Sequence, residues 1–136
     1  MTTLSKTELD ALHEALEDEY RAWASYDQVI HDFGEVRPFI NIREAEARHI
    51  QALYSLFEAY GIKKPKNTWP GKVEHYDSLH AACAAGVAAE IENSRMYERL
   101  LKSTKKSDIL QVYRNLERAS RENHLHAFER CVARGS

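Results

Sequence analysis

The sequence predicts an all-α fold of four helices within a single domain, residues 1–136. Glycine and proline, the residues that most often interrupt helices, number only five and three. Apolar residues recur at three- and four-residue intervals along four long stretches, which is the period of a helix that buries one face. A chain of 136 residues is also long enough to bury a core of its own.

The first helix is predicted over residues 6–33. Ser5 and Glu8 have the spacing of a capping box, in which each side chain accepts a hydrogen bond from the other residue's backbone N–H. Gly34 is typical of a position that ends a helix. Glu19 lies inside the apolar stripe of this helix, so we expect its carboxylate to point towards the core.

The second helix is predicted over residues 38–60, with Pro38 at its first position. Glu46 and His49 lie three residues apart within its apolar stripe, so their side chains point the same way. A carboxylate and an imidazole directed together into a core are costly unless they share a partner, and a metal ion is one such partner. Taken alone, the motif is more typical of a core histidine beside a surface glutamate.

A polar segment that contains Pro65, Pro70 and Gly71 separates the second helix from the third, over residues 62–76. About fifteen residues span up to ~50 Å when extended, which is enough to run the length of a helical bundle. The connection between the first two helices is short, so these two are expected to be antiparallel neighbours. We therefore predict an antiparallel four-helix bundle with a long crossover between helices 2 and 3.

The third and fourth helices are predicted over residues 78–104 and 108–134, with Ser107 as the cap of the fourth. Glu90 lies inside the apolar stripe of the third helix, seven residues from apolar positions on either side. His124 is the polar member of the fourth stripe that a surface position does not explain. Both side chains are therefore expected to face the core.

Cys83 and Cys131 are expected to share one level of the bundle, about two turns from Glu90 and His124. Cys83 precedes Glu90 by seven residues, and Cys131 follows His124 by seven. The third and fourth helices are predicted to be antiparallel, so both displacements run in the same direction, each ~10.5 Å. Side-by-side helices usually stay about 8–10 Å apart, farther than a disulfide reaches, so we expect proximity without a bond.

The polar residues inside the four apolar stripes all fall within about one turn of the midpoint of their own helix. In an aligned bundle they meet at one level. Three carboxylates and two imidazoles in a dry core suit iron, manganese or zinc. Tyr20, Tyr26 and Tyr97 are candidates for redox-active neighbours or for hydrogen-bond partners of the ligands, and core packing is the preferred interpretation of each. The candidate metal ligands are Glu19, Glu46, His49, Glu90 and His124.

The helical order, the crossover and the sequence Glu … Glu-x-x-His … Glu … His together resemble the ferritin-like superfamily. Three segments are similar to those of a bacterial family of small, uncharacterised ferritin-like four-helix proteins: residues 17–22 (EDEYRA), 39–49 (FINIREAEARH) and 123–128 (NHLHAF). The resemblance covers most of the chain. It implies a ferritin-like antiparallel bundle with iron, or alternatively manganese or zinc, held by Glu19, Glu46, His49, Glu90 and His124.

One position departs from the superfamily pattern, whose fourth helix carries a second Glu-x-x-His. The residue three positions before His124 is Arg121 in this chain. Glu122 is displaced by ~100° around the helix, and Glu117 lies about two turns from His124. One bridging carboxylate is therefore absent from the predicted site, which leaves open whether it holds one ion or two.

Three functions remain open from the sequence. The first is a metal-binding protein, in one form a one-metal or two-metal oxidoreductase that acts with oxygen or peroxide. The second is a metal carrier without turnover. The third is a metal-free helical interaction module with a degenerate site, in which Arg121 replaces the metal as counter-ion to Glu46 or Glu90.

Composition and charge argue against nucleic acids and membranes as partners of the chain. The net charge of -2 gives no reason to expect a nucleic acid. No apolar run has the length of a membrane span, and the first residues lack the apolar region of a signal peptide. The cysteines form no C-x-x-C motif, and a cytoplasmic location is the default expectation. Formation of a homo-oligomer stays open.

Overall fold

The computed structural model describes residues 3–135, which fold into four helical stretches with no strand among them. The first three stretches are α1, Lys6–Phe33; α2, Phe39–Ala59; and α3, Leu79–Leu100. The fourth is continuous and consists of α4, Ser107–Arg118; a π-helical segment, Ala119–His124; and α5, Leu125–Arg134. The predicted all-α, four-helix arrangement is confirmed. No helix within residues 3–135 is both long and apolar enough to cross a membrane.

The start of α1 is held by the predicted capping box. The Glu8 backbone N–H donates to Ser5 Oγ at 3.1 Å, and the Ser5 backbone N–H donates to Glu8 Oε1 at 2.9 Å. The Glu8 carboxylate also accepts hydrogen bonds from the Thr104 hydroxyl and the Lys106 ammonium. The Ser5 N–H, Thr104 and Lys106 together lower the pKa of Glu8 to about 2. Glu8 therefore ties the start of α1 to the turn that precedes α4.

The predicted boundary between the third and fourth helices is wrong by several residues. α3 ends at Leu100 instead of residue 104. Thr104 is buried, and its hydroxyl both donates to Glu8 and accepts a backbone N–H of the turn, which takes this stretch out of the helix. Ser107 is the first residue of α4 and not its cap. α2 likewise begins one residue later than predicted, at Phe39.

The segment between α2 and α3 lies along α1. Residues 62–76 contain no helix, as predicted. The Tyr20 hydroxyl, near the middle of α1, donates to the carbonyl oxygen of Pro65 at 2.6 Å. His75 Nδ1 pairs with Asp32, at the end of α1, at 2.7 Å. The segment therefore runs along the bundle from the end of α2 to the start of α3.

Two apolar clusters form the core, one on either side of a polar layer. The first cluster joins α1, α2, α3 and α4, and includes Leu12, Leu16, Leu53, Phe57, Tyr97 and Tyr113. The second joins the other ends of α1, α2 and α3 with α5, and includes Tyr26, Phe39, Ile42, Cys83 and Phe128. The predicted metal ligands of α2, α3 and the fourth stretch lie between the two clusters, and Glu19 of α1 lies at the edge of the first cluster, beside Tyr20. Hydrophobic packing therefore seals the polar layer from both ends.

α3 and α5 approach each other closely where Gly86 faces Phe128. A Cβ atom placed on Gly86 would lie 2.8 Å from atoms of the Phe128 ring, closer than real side chains come. The ring is fully buried and has no free space to move into. Glycine is therefore required at this position by the distance between the two helices.

We expect Gly86→Ala to lower the free energy of unfolding by roughly 1–3 kcal/mol, because overpacking outweighs the ~1 kcal/mol by which alanine favours a helix. Urea unfolding measures the effect. Phe128→Leu removes the opposing ring, so the double variant should be less destabilised than the sum of the two single variants. Strict additivity would contradict the contact.

Cys83 and Cys131 form a disulfide, and their Cα atoms are 6.0 Å apart. The predicted proximity of the two thiols is confirmed, but the expectation that they stay unbonded is wrong. The close approach of α3 and α5 at Gly86 explains the difference, because a disulfide needs Cα atoms about 4.4–6.8 Å apart. The shared level of the cysteines supports the alignment that places Glu90 opposite His124.

Candidate metal centre

All five predicted site residues are buried and lie together in the polar layer. α1 supplies Glu19, α2 supplies Glu46 and His49, α3 supplies Glu90, and the end of the π-helical segment supplies His124. None of them exposes more than 9% of its surface. The expected convergence is present, while the role of these residues as metal ligands stays a prediction.

Glu46 occupies the centre of the cluster. Its Oε1 lies 2.9 Å from Nδ1 of His49 and 3.8 Å from Nδ1 of His124. His49 Nδ1 is also 3.4 Å from Oε2 of Glu19, and His124 Nδ1 is 3.3 Å from Oε1 of Glu90. The two imidazole rings stack almost parallel, with their centroids 5.4 Å apart. Both histidines therefore direct a ring nitrogen at the same carboxylate.

Three buried atoms of this cluster have no hydrogen-bond partner within residues 3–135: Glu46 Oε1, His49 Nδ1 and His124 Nδ1. Glu46 and His49 are close enough for a hydrogen bond but are not aligned for one. Such unsatisfied buried atoms cost about 1–3 kcal/mol each. Two atoms that bind one ion at ~2.1 Å are at most ~4.2 Å apart, and the separations of 2.9 and 3.8 Å meet this limit. One shared cation would satisfy all three atoms.

The other two carboxylates of the cluster are held by hydroxyl groups of the chain itself. Tyr97 donates to Glu19 Oε2 at 2.8 Å, and Tyr26 donates to Glu90 Oε2 at 2.5 Å. Burial, and then the charges of these carboxylates, raise the pKa of both tyrosines well above the usual value, so both remain donors. The interpretation of Tyr26 and Tyr97 as packing residues alone is therefore incomplete.

Ser120, four residues before His124, also faces the site. Its hydroxyl donates to Glu90 Oε1 at 2.5 Å, and the residue is almost fully buried. The sequence carries a signal for it, because Leu116, Ser120, His124 and Phe128 follow one another at four-residue intervals. Four residues overshoot an α-helical turn by about 40°, and three such intervals would carry Phe128 about 120° from the face of Leu116.

The π-helical segment compensates for this rotation around the helix axis. The Leu125 backbone N–H bonds to the carbonyl oxygen of Ser120, five residues back, so the turn is wider than that of an α-helix. Ser120 and His124 consequently stay on the face that packs against the other helices, and both are buried. The same wide turn rotates Arg121, three residues before His124, away from the core.

Arg121 is not a counter-ion of the core carboxylates, and that interpretation is wrong. Its side chain is 51% exposed, and its Nε donates to Glu117 Oε2 at 2.9 Å. Glu117 in turn accepts the Ser94 hydroxyl at 2.7 Å. Arg121 therefore belongs to a surface network, and within residues 3–135 the only basic side chains within 4 Å of the Glu19, Glu46 and Glu90 carboxylates are His49 and His124.

Burial and crowding shift the pKa values of three members of the cluster. Burial, and then the charge of Glu19, raise the pKa of Glu46 well above its usual range. Burial lowers the pKa of His49, but Glu19 and Glu46 outweigh it and raise the pKa to about 10. Burial raises the pKa of Glu19, but His49 and Tyr97 outweigh it and lower the pKa. Without a metal, the folded chain therefore keeps protons on Glu46 and His49 that the unfolded chain would release.

The fold and the site define a class: an all-α, four-helix protein with buried carboxylates and imidazoles that converge on one point. The chain belongs to the family described as an uncharacterized protein domain (DUF2202), whose sequence model matches residues 8–136. The predicted similarity to a family of uncharacterised proteins is confirmed at this level.

Similar proteins support the same arrangement of helices. The uncharacterized protein MJ0754 of Methanocaldococcus jannaschii is 31% identical over 144 residues, which cover 95% of this chain and 77% of the relative. The crystal structure of hypothetical protein MJ0754 from Methanococcus jannaschii DSM 2661 matches with a TM-score of 0.88 and 27% identity. That match covers 98% of this chain and 84% of the other, so the whole four-helix arrangement is shared.

Proposed function

We propose that this is a metal-binding protein of the ferritin-like type, an antiparallel bundle whose crossover joins its second and third helices. The contacts of the crossover with the middle and the end of α1 support this topology. The proposed site binds iron, with manganese or zinc as alternatives, through Glu46, His49 and His124. The observation that carries the proposal is the presence of three buried, unpartnered atoms on residues whose ligand atoms lie within 4.8 Å of one another.

The hydrogen bonds around the remaining carboxylates favour one ion over two. Both oxygens of Glu90 accept hydroxyl hydrogen bonds, from Tyr26 and Ser120. Glu19 accepts one from Tyr97. These contacts leave fewer free lone pairs on both carboxylates, and Ser120 brings no carboxylate of its own, so a second ion would find few ligands. Glu19 and Glu90 would instead balance the charge of the bound ion from beside it.

Two imidazoles and one carboxylate leave coordination positions open, and an iron ion held in this way supplies chemistry with oxygen or peroxide. We therefore propose an oxidoreductase as the enzyme class. The chain's own contribution is to fix Glu19 and Glu90 through Tyr97 and Tyr26, and to close both ends of the polar layer with two apolar clusters. A metal carrier would use the same site without turnover. The interaction module has less support, because Arg121 lies at the surface.

Metal analysis of protein purified without added metal tests the proposal. We expect about one ion per chain, by the ligand count above. Iron accompanied by oxygen consumption supports the oxidoreductase, and one ion without turnover supports the carrier. Two ions per chain would contradict the one-ion site. No ion, even after incubation with ferrous iron, manganese and zinc, would overturn the proposal as a whole.

We also expect the metal-free protein to lose stability as pH rises from about 6.5 to about 10. The pKa of Glu46 is raised in the folded state, and that of His49 is raised to about 10. Each group then stabilises the fold below its unfolded pKa and loses this effect as pH passes its folded pKa. Glu19, whose pKa is lowered, acts only in acid, where its contribution fades as pH falls.

Urea midpoints across this pH range measure the effect, and added metal should reduce it by favouring the deprotonated forms. Glu46→Gln should reduce the dependence of the urea midpoint on pH. His126→Gln, at an exposed position of α5, should leave that dependence unchanged. Midpoints that rise steadily with pH in the metal-free protein would show that the carboxylates are not crowded.

A further inference from the structure

A groove of about 640 Å³ opens directly onto the candidate metal centre, between α2 on one side and the π-helical segment with α5 on the other. His49 and His124 line it at one end. Its volume falls within the range of ligand pockets, roughly 300–1,000 Å³. The two proposed histidine ligands are therefore reachable from outside the bundle along this groove.

The same groove is lined by four arginines and by no acidic residue of the described range 3–135: Arg37, Arg48, Arg130 and Arg134. All four are exposed, and none forms an ion pair with a carboxylate of residues 3–135. Unpaired guanidinium groups around a concave surface attract and hold oxyanions, often through two parallel hydrogen bonds.

A second groove, between α1 and α3, differs from the first because acidic residues line it. It also contains arginines, but Arg21 pairs there with Asp18, and Arg99 pairs with Glu14. Two of its three arginines are therefore paired by the chain, and four acidic residues line it. The chain overall carries a net charge of -2, so the positive groove is a local feature.

The arginines are spread along the groove. Arg37 lies two residues before the start of α2 and twelve before His49, and Arg134 lies ten residues beyond His124, about 15 Å along the helix axis. The wall between these ends is partly apolar, from Ile42, Ala45 and Ala127 among others. The lining therefore combines three arginines on the side away from the site, Arg37, Arg130 and Arg134, with a partly apolar path to the histidines, beside which Arg48 lies.

We propose that this groove binds an elongated organic oxyanion, a carboxylate or a phosphate, with its charged group at Arg130 and Arg134 and its apolar body directed at His49 and His124. As a substrate assignment this rests on the proposed metal site. The binding itself does not, because the arginines and the apolar wall belong to the metal-free chain. The expected substrate class is thus an amphipathic anion whose uncharged end reaches the metal.

Calorimetric titration with octanoate, octyl phosphate and octanol, at low salt, tests the proposal on the metal-free and metal-loaded protein. We expect at least one of the two anions to bind, and octanol to bind roughly tenfold more weakly or not at all, because it lacks the charge-assisted hydrogen bonds. The tighter anion decides between carboxylate and phosphate. Equal affinities for octanol and both anions would overturn the proposal, as would the absence of binding by all three.

Arg130→Gln/Arg134→Gln is the test variant, and Arg95→Gln, in the second groove, is its matched control. The double variant should lose roughly tenfold or more in affinity for the anion, and the control should lose none. Ring resonances of His124 should shift on anion binding, while those of exposed His126 should not. Equal affinities of the two variants, or unmoved His124 resonances, would contradict the proposed orientation.

Metal content measured in the same samples separates the two proposals. A chain that binds its ion but no anion overturns only the groove. A chain that binds the anion but no ion, under any of the loading conditions above, overturns the metal site and leaves the groove as an anion site of a different kind.

Discussion

Replacing Glu46 or His49 with alanine is expected to abolish metal binding while the helical fold is retained. Each substitution removes one of three ligands that converge on one point, so the metal content should fall from about one ion per chain to nearly none. The fold should survive because the apolar clusters on either side of the polar layer are left intact. Metal analysis and circular dichroism on the same samples measure both effects.

His126→Ala is the matched control, since this histidine is exposed on α5 two residues after His124 and should keep full metal content. The metal-free Glu46→Gln protein should be more stable than the metal-free parent at alkaline pH, because a buried carboxylate without a partner is removed. Unchanged metal content in either alanine variant would remove Glu46 and His49 from the site.

Loss of the Cys83–Cys131 disulfide is expected to lower the free energy of unfolding by about 2–4 kcal/mol. The bond joins positions 48 residues apart, so it restricts a long loop of the unfolded chain. Metal content should be retained, because both cysteines belong to the second apolar cluster and neither lies in the polar layer. Urea unfolding with and without a reductant measures the change.

The Cys83→Ala/Cys131→Ala double variant separates the bond from side effects of the reductant. It should match the reduced parent in stability to within about 1 kcal/mol, and its urea midpoint should not respond to reductant. If reductant leaves the urea midpoint of the parent unchanged, the disulfide contributes nothing to stability. If the reduced parent or the double variant loses its metal, the polar layer depends on the disulfide.

Much of the site could be predicted because buried polar residues interrupt an otherwise regular apolar pattern. Glu19, Glu46, Glu90 and His124 each stand in an apolar stripe near the middle of a helix, and the structure brings them together. The four-helix arrangement follows from the same pattern, since few glycines or prolines break it. These features depend on local periodicity, which a single sequence displays.

Other features depend on distances between helices, and the periodicity of apolar residues along one helix does not reveal these distances. The disulfide required the close approach at Gly86, and Gly86 looks in the sequence like any weak helical residue. The end of α3 was displaced by the contact between Thr104 and Glu8, which are 96 positions apart. The groove arginines lie on exposed faces, where charged residues are expected everywhere and carry no distinguishing signal.

The four-residue spacing of Leu116, Ser120, His124 and Phe128 is present in the sequence, but the prediction of a helix over residues 108–134 assumes regular α-helical geometry. With that geometry, the pattern Glu-x-x-His puts the expected carboxylate at position 121, where the side chain is exposed. The residue that faces the site is Ser120, one position earlier. The register error is therefore one residue, and it comes from assuming α-helical geometry.

The π-helical segment has a consequence for how this chain should be aligned with others. A turn closed five residues back holds one residue more than an α-helical turn. Homologues that keep an unbroken α-helix here should be one residue shorter between the positions equivalent to Leu116 and His124. A correct alignment places a single gap inside the fourth helix, where alignment methods penalise gaps heavily. Without that gap, Arg121 is aligned with the position three residues before a homologue's equivalent of His124, and with the gap Ser120 is aligned with it.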